Sequence, residues 1–280
     1  MAKLAWSSRF SRRLTSSASR APSSTPSREI PPLSTKIEWT DEVWNPMTGC
    51  TKISSGCDNC YAHTVAHRCT RDIYLRELSV RDTPAGREDP FAPRFWEDRL
   101  EIPMRWKAAR RIFVNSMSDV FHAHFSVEQI RMVFEVMNSC PQHQFQLLTK
   151  RPERAVRLAS EFVWTENIWM GTSIENMDVA RRADALRQIP AAVRFISAEP
   201  LLGPLDALDL TGIDWVIGGG ESGAGYRPVD VTWARGLRAL CEQHSVAFFW
   251  KQWGGTTSKS GGRDLDGRIW SEYPVQLATD

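Results

Sequence analysis

A (β/α) barrel, full or partial, is the fold this sequence predicts, and three observations predict it. Seven short apolar runs alternate with longer helical patterns from residue 36 onward, an order that implies parallel strands joined by right-handed crossovers. Seven such units in about 245 residues fit a barrel or partial barrel better than a five-stranded open sheet, with a doubly wound sheet as the second arrangement. Third, the runs end in polar, charged and glycine residues: NSMSD, TKRP, TSIEN, SAEP, GGGESG and KQWGG. Polar side chains at the C-terminal ends of parallel strands are how barrels assemble active sites.

The strands are predicted at 37–44, 111–116, 145–150, 168–173, 193–198, 214–219 and 246–251. Each is short and rich in Ile, Val, Phe or Trp, as strands buried on both faces are. Helices are predicted at 127–140, 152–162, 176–189 and 231–244, with Ser126 placed to cap the first and Asn176 opening the third. The stretch 70–110 is long for a connection and reads as an insertion, either a lid over the rim or a solvated excursion with one short helix. Residues 1–35, rich in Ser, Arg and Pro, cannot bury a core and read as a disordered tail, an organelle transit peptide or an over-called start. The remainder, 36–280, reads as one barrel-like domain.

Composition narrows the function classes. At 42% hydrophobic and 24% charged, the 280-residue chain has the profile of a soluble globular protein. A formal net charge of +2 gives no global field directed at nucleic acid or membrane, and no apolar run reaches bilayer-spanning length. Six cysteines, three of them clustered, do not form a secreted disulfide framework; a reducing cytoplasm is the expected location.

The cluster is GCTKISSGCDNCYAH, with Cys50, Cys57 and Cys60 in a C-x6-C-x2-C spacing. Thiolates gather this densely for soft metals. A zinc ion with His63 as fourth ligand, a redox thiol and chance clustering all remain open. So does a four-iron, four-sulfide (4Fe-4S) cluster, in which three thiolates leave one iron free for a cofactor or substrate.

Several other residues belong to the same predicted rim. Ser118, Asp119, Glu175, Glu199, Gly219, Gly220 and Glu221 are candidates to bind a cofactor through its ribose, amine or hydroxyl groups. Lys150, Arg151, Arg227 and Lys251 supply positive charge for a phosphate or carboxylate of a substrate. Trp253, with Trp39, Trp44 and Trp250, reads more readily as core or rim packing, and offers a ring for stacking on a base as the other reading. GGGESG fits G-x-G-x-x-G, yet no helix opens directly after it as a dinucleotide fingerprint requires. Cys140 and Cys241 fall in helical patterns as small apolar residues.

The segments TKIEWTDEVWNPMTGCTKISSGCDNCYA, FVNSMSDVFH, QLLTKRPER, RFISAEPLLGPL, WVIGGGESG, FFWKQWGG and RDLDGRIWSEYP occur in one order over about residues 35–275. Together they resemble the phage gp-thirty-seven-like family of uncharacterised three-cysteine proteins, which is similar in turn to radical S-adenosylmethionine enzymes. In that class Tyr also follows the last clustered cysteine of a DNA-repair lyase, as Tyr61 follows Cys60 here. The resemblance implies a 4Fe-4S cluster on Cys50, Cys57 and Cys60. It further implies S-adenosylmethionine on the open iron, an electron donor, and cleavage of the sulfonium to a hydrogen-abstracting radical. The chain departs from the class in two places: the usual first spacing is three residues shorter, and the Gly-Gly-Glu segment expected after the second strand stands after the sixth. The expected function is thus an iron–sulfur enzyme acting on an unknown substrate, with nucleic acid or nucleotide suggested by the basic strand ends. The alternative is a zinc-stabilised, non-catalytic module of phage origin that binds nucleic acid or a partner protein.

Overall fold

The computed structural model describes residues 37–257 and 259–274, and the predicted tail lies outside them. Seven strands form one parallel sheet: β1 Glu42–Trp44, β2 Arg111–Val114, β3 Gln144–Thr149, β4 Ile168–Ser173, β5 Arg194–Ala198, β6 Trp215–Gly219 and β7 Ala247–Gln252. They pair strictly in chain order, each parallel to the next. A doubly wound sheet reverses its strand order at a switch point, and this one does not. It is a half-barrel of βα units, and β1 and β7 do not pair with each other among the described residues.

Both faces of the sheet are buried, which is why the strands read as continuous apolar runs; every residue of β4 and β6 is buried. The main helices are α1 Tyr61–Arg68, α2 Val127–Asn138, α3 Pro152–Leu158, α4 Arg182–Arg187 and α5 Val231–Gln243. One face carries Ile112, Met170, Ile196, Val216 and Phe248 and packs on Ile130, Val133 and Leu237 of the helices. The other carries an aromatic cluster of Trp39, Phe113, Trp169, Phe195, Trp215 and Phe249, to which no helix among the described residues contributes. Ser126 opens α2 with a reciprocal cap: its hydroxyl accepts from the Gln129 N–H at 3.2 Å, and the Gln129 side chain accepts from the Ser126 N–H at 3.0 Å.

Three elements differ from expectation by more than two residues at a boundary. β1 begins at Glu42 instead of residue 37, because Trp39 turns into the aromatic cluster and the Thr40 hydroxyl bonds the Arg111 carbonyl at 3.0 Å. The helix expected over 152–162 is α only to Leu158 and then tightens into a 3₁₀ turn at Ala159–Glu161. The one expected over 176–189 breaks into a 3₁₀ turn, Met177–Val179, and α4.

The 70–110 stretch holds short helices at Arg71–Tyr74 and Pro84–Glu88, and a strand, Arg94–Phe95, paired antiparallel with Met47–Thr48. Arg94 organises it. Its fully buried guanidinium donates to the carbonyls of Glu77, Asp89, Ala92 and Gly86 at 2.8 to 2.9 Å. A buried cation so fully bonded is tolerated where an unpaired one is not.

Gly171 of β4 lies opposite Phe195 of β5, and a Cβ there would meet the fully buried Phe195 ring at 2.4 Å. We expect Gly171→Ala to lower unfolding free energy by about 1–3 kcal/mol through overpacking, read as a shifted midpoint in chemical denaturation.

Candidate functional site

Residues 49–60 cross the C-terminal ends of the strands as a loop, and buried strand-end carboxylates hold it there. Glu175, just past β4, is fully buried. It accepts hydrogen bonds from the Ser54 hydroxyl, from the Gly56 N–H at 3.1 Å and from Arg182 at 2.9 Å. A Cβ on Gly56 would lie 2.7 Å from the Glu175 carboxylate, so the contact requires glycine. Glu221, past β6, accepts from Asn59 at 2.9 Å and from the backbone and guanidinium of Arg227. Arg227 in turn donates to the Ser55 carbonyl at 2.9 Å and pairs with Asp58 at 3.4 Å. Asp119, past β2, is linked to the loop through Arg151 (2.9 Å). That guanidinium reaches the Thr51 carbonyl at 2.9 Å and the Cys50 sulfur at 3.5 Å. The Ser118 hydroxyl donates to the Gly49 carbonyl at 2.6 Å.

The outer side of the loop is apolar. Cys50 and Cys60 pack on Ala62 and Ala66 of α1 and on Tyr74, Phe91, Trp96 and Met117. Three of these, Tyr74, Phe91 and Trp96, come from the 70–110 stretch, which backs the cysteine loop. The Cys50 N–H bonds the Phe91 carbonyl at 3.1 Å. Gly49 takes φ +84° where a Cβ would strike the Ala92 carbonyl at 2.2 Å.

Electrostatics follow the packing. Burial pushes the Cys50 thiol up to about 11, with the Asp119 charge adding to the rise and Arg151 opposing it. Burial would also raise Glu175, but Lys150, the Ser54 hydroxyl and Arg182 outweigh it and hold the carboxyl below its ordinary value. The same balance, with Arg227 and Asn59 as the lowering partners, keeps Glu221 low.

The predicted rim residues thus divide into two groups. Ser118, Asp119, Arg151, Glu175, Glu221 and Arg227 converge on the cysteine loop, with their polar groups bonded to protein. Glu199 and Lys251 instead pair with each other at 2.8 Å, with Ser197 on the second carboxylate oxygen at 3.1 Å. Gly219 lies between their strands, where a Cβ would come within 3.3 Å of Glu199. Gly220 gives close approach to backbone, since a Cβ would sit 2.0 Å from the Trp253 carbonyl. Lys150 donates its backbone N–H to Asp119 at 3.0 Å, and its ammonium lies within the field of Glu175. Trp39, Trp44 and Trp250 are core residues, so the expected stacking surface is not theirs; Trp253 is half-buried with its indole N–H on the Asp264 carbonyl at 2.5 Å. Cys140 and Cys241 are buried as expected. Sequence reasoning missed Thr51, Ser54, Asn59 and Arg182. The signal was the run of small polar residues between the cysteines, which supplies the donors that strand-end acids need.

As ligands, the three thiols are free and partly buried. Their polar neighbours are Arg151 and the Thr51 carbonyl (3.6 Å) on Cys50 and the Ser54 hydroxyl (3.9 Å) on Cys57. His63 stacks on His67 at 4.2 Å and meets Phe91 edge-on. Among the described residues no three His, Cys, Asp or Glu side chains gather as one metal ion requires. A thiol-only donor set on a backbone held from elsewhere suits an iron–sulfur cluster.

A half-barrel of parallel strands with a three-thiol loop across its C-terminal rim has counterparts in fold among solved structures. Two single-substitution variants of spore photoproduct lyase share the fold with a TM-score of 0.50 each, at 13% and 14% identity. The likeness covers 88% of this chain in both, and 93% and 92% of theirs. Spore photoproduct lyase complexed with dinucleoside spore photoproduct gives 0.49 at 14% identity over 78% of this chain, which spans 65% of that structure's length. No curated protein matches the chain. By sequence the chain belongs to the family described as "Protein of unknown function (DUF5131)", matched over residues 34–274; that description carries no phage name.

Because Glu175 and Glu221 are depressed in the folded protein, their contribution to stability is complete above the ordinary value of 4.5 and is lost as pH falls through their folded values. Glu175→Gln with Glu221→Gln should flatten the acid limb of stability against pH. Glu175→Ala, which strands the buried Arg182, should cost about 3–5 kcal/mol in denaturant unfolding.

Proposed function

We propose that this protein is an iron–sulfur enzyme of radical S-adenosylmethionine type. Cys50, Cys57 and Cys60 would hold three irons of a 4Fe-4S cluster, leaving the fourth for S-adenosylmethionine. The observation that carries this reading is the clamping of the three-thiol loop onto the strand ends by Asp119 through Arg151, by Glu175 and by Glu221. When bound, such a cluster supplies one-electron chemistry, the reductive cleavage of S-adenosylmethionine by an electron from an external donor.

The chain's own residues have separable tasks. Glu175, Glu221 and Arg227 fix the loop that carries the three thiols. The apolar backing from Tyr74, Phe91 and Trp96 excludes water from the outer side of Cys50 and Cys60. Glu199, Lys251 and Lys150 stand at strand ends with side chains not bonded to the loop, and they orient substrate. We extend the proposal to a substrate bearing phosphate, a nucleotide or nucleic acid, on the charge of Lys150 and Lys251. No observation favours the zinc module, since among the described residues no three His, Cys, Asp or Glu side chains gather around one ion.

Anaerobic purification followed by iron, sulfide and zinc analysis tests the reading. About four irons and four sulfides per chain are expected, with a reduced-cluster electron paramagnetic resonance signal that changes on adding S-adenosylmethionine. One zinc and no iron after attempted reconstitution overturns it. For the substrate class, Lys150→Ala should weaken binding of a single-stranded oligonucleotide about tenfold at low salt and reduce the salt dependence of binding. Unchanged affinity removes the phosphate reading.

A further inference from the structure

Of the three thiols, Cys50 alone among the described residues has a cation bonded to its sulfur, and that cation cannot swing away. The Arg151 guanidinium donates through Nη1 to Cys50 Sγ at 3.5 Å and to Asp119 at 2.9 Å. Through Nη2 it donates to the Thr51 carbonyl at 2.9 Å and to its hydroxyl at 3.1 Å. Asp119 is just as fixed, accepting from the Phe121 N–H at 2.9 Å, the Thr149 hydroxyl at 2.7 Å and the Lys150 N–H at 3.0 Å. The pair is nearly closed to solvent, with side-chain exposures of 13% for Arg151 and 7% for Asp119. Charges held this close to a sulfur in a poorly hydrated site act strongly on it.

Donation to a ligating sulfur withdraws electron density from iron and favours the reduced cluster, and a carboxylate behind the donor opposes this. We propose that Arg151 and Asp119 set the reduction potential of the cluster through Cys50, Arg151 raising it and Asp119 restraining the rise. This rests on the radical-enzyme reading. It makes Arg151 a positioning and tuning residue in place of a substrate contact.

The test is a redox titration of the holoprotein with dithionite and mediators, following one-electron reduction of the cluster by electron paramagnetic resonance. Arg151→Gln removes the cation and leaves the Asp119 charge uncompensated near the sulfur. At the wild-type midpoint its reduced-to-oxidised ratio should fall about tenfold, a shift of about 59 mV to more negative potential. Asp119→Asn should shift the potential in the opposite sense, which a merely structural role does not predict. Arg151→Lys, which keeps the charge, should lie between Arg151→Gln and wild type, and it replaces Arg151→Gln if that variant fails to fold. Iron and sulfide content equal to wild type shows that each variant is loaded. Loaded variants with unchanged potentials, or shifts of the same sign, overturn the inference while leaving the radical-enzyme reading intact. A wild-type protein that takes up no cluster overturns both.

Discussion

The structure depends on buried carboxylates at strand ends that are neutralised and hydrogen-bonded by residues of, or next to, one loop. Asp119 with Arg151, Glu175 with Arg182 and Glu221 with Arg227 are each an acid nearly or fully removed from water beside a guanidinium. A buried carboxylate is tolerable only with its partner in place, since the desolvation cost is incurred whether or not the pair forms. The remaining lone pairs are filled by Ser54, Gly56 and Asn59, with Thr51 held on Arg151. Loop and rim therefore fold as one unit. Displacing the loop would expose three acids to incomplete solvation at once, so the three thiols inherit the rigidity of the sheet beneath them.

That clamp works from inside the half-barrel, and the 70–110 stretch completes it from outside. Its scaffold is a single buried arginine, Arg94, binding four carbonyls of its own segment. Around that scaffold, Tyr74, Phe91 and Trp96 are brought against α1 and the thiols. The loop thus has a dry side built by the insertion and a polar side built by strand ends. Low dielectric on one side strengthens the action on the thiols of whatever charges face them from the other.

Much of this was legible in the sequence, for reasons that particular residues make plain. The strands were readable because both faces are buried, so IWMGTS and WVIGG carry no charged residue to blur them. β1 was overextended because Trp39 looks like a strand residue and is instead a plug in the aromatic cluster. The acids were readable as rim residues from their place after each strand. Their partners were not, because contacts such as Asn59 with Glu221 span 162 residues and leave no local pattern. The glycines of GGGESG suggested ligand approach, whereas the close contact at Gly220 is with the neighbouring strand's continuation at Trp253.

The rim's division of labour has a further consequence. The ends of β2, β3, β4 and β6 are committed to the loop, and the ends of β5 and β7 are not. Glu199 and Lys251 reach each other across Gly219 of β6, a contact that a side chain at that position would crowd. Glu199 is bonded further to Ser197 of its own strand, so this pair is organised by the sheet independently of the cysteines. A half-barrel arranged this way can alter the charges at β5 and β7 without loosening the cysteine loop, and can alter the loop without unsettling those charges. Separating the residues that hold the thiols from the other charged strand ends lets one scaffold keep a fixed loop geometry while the charges beside it change.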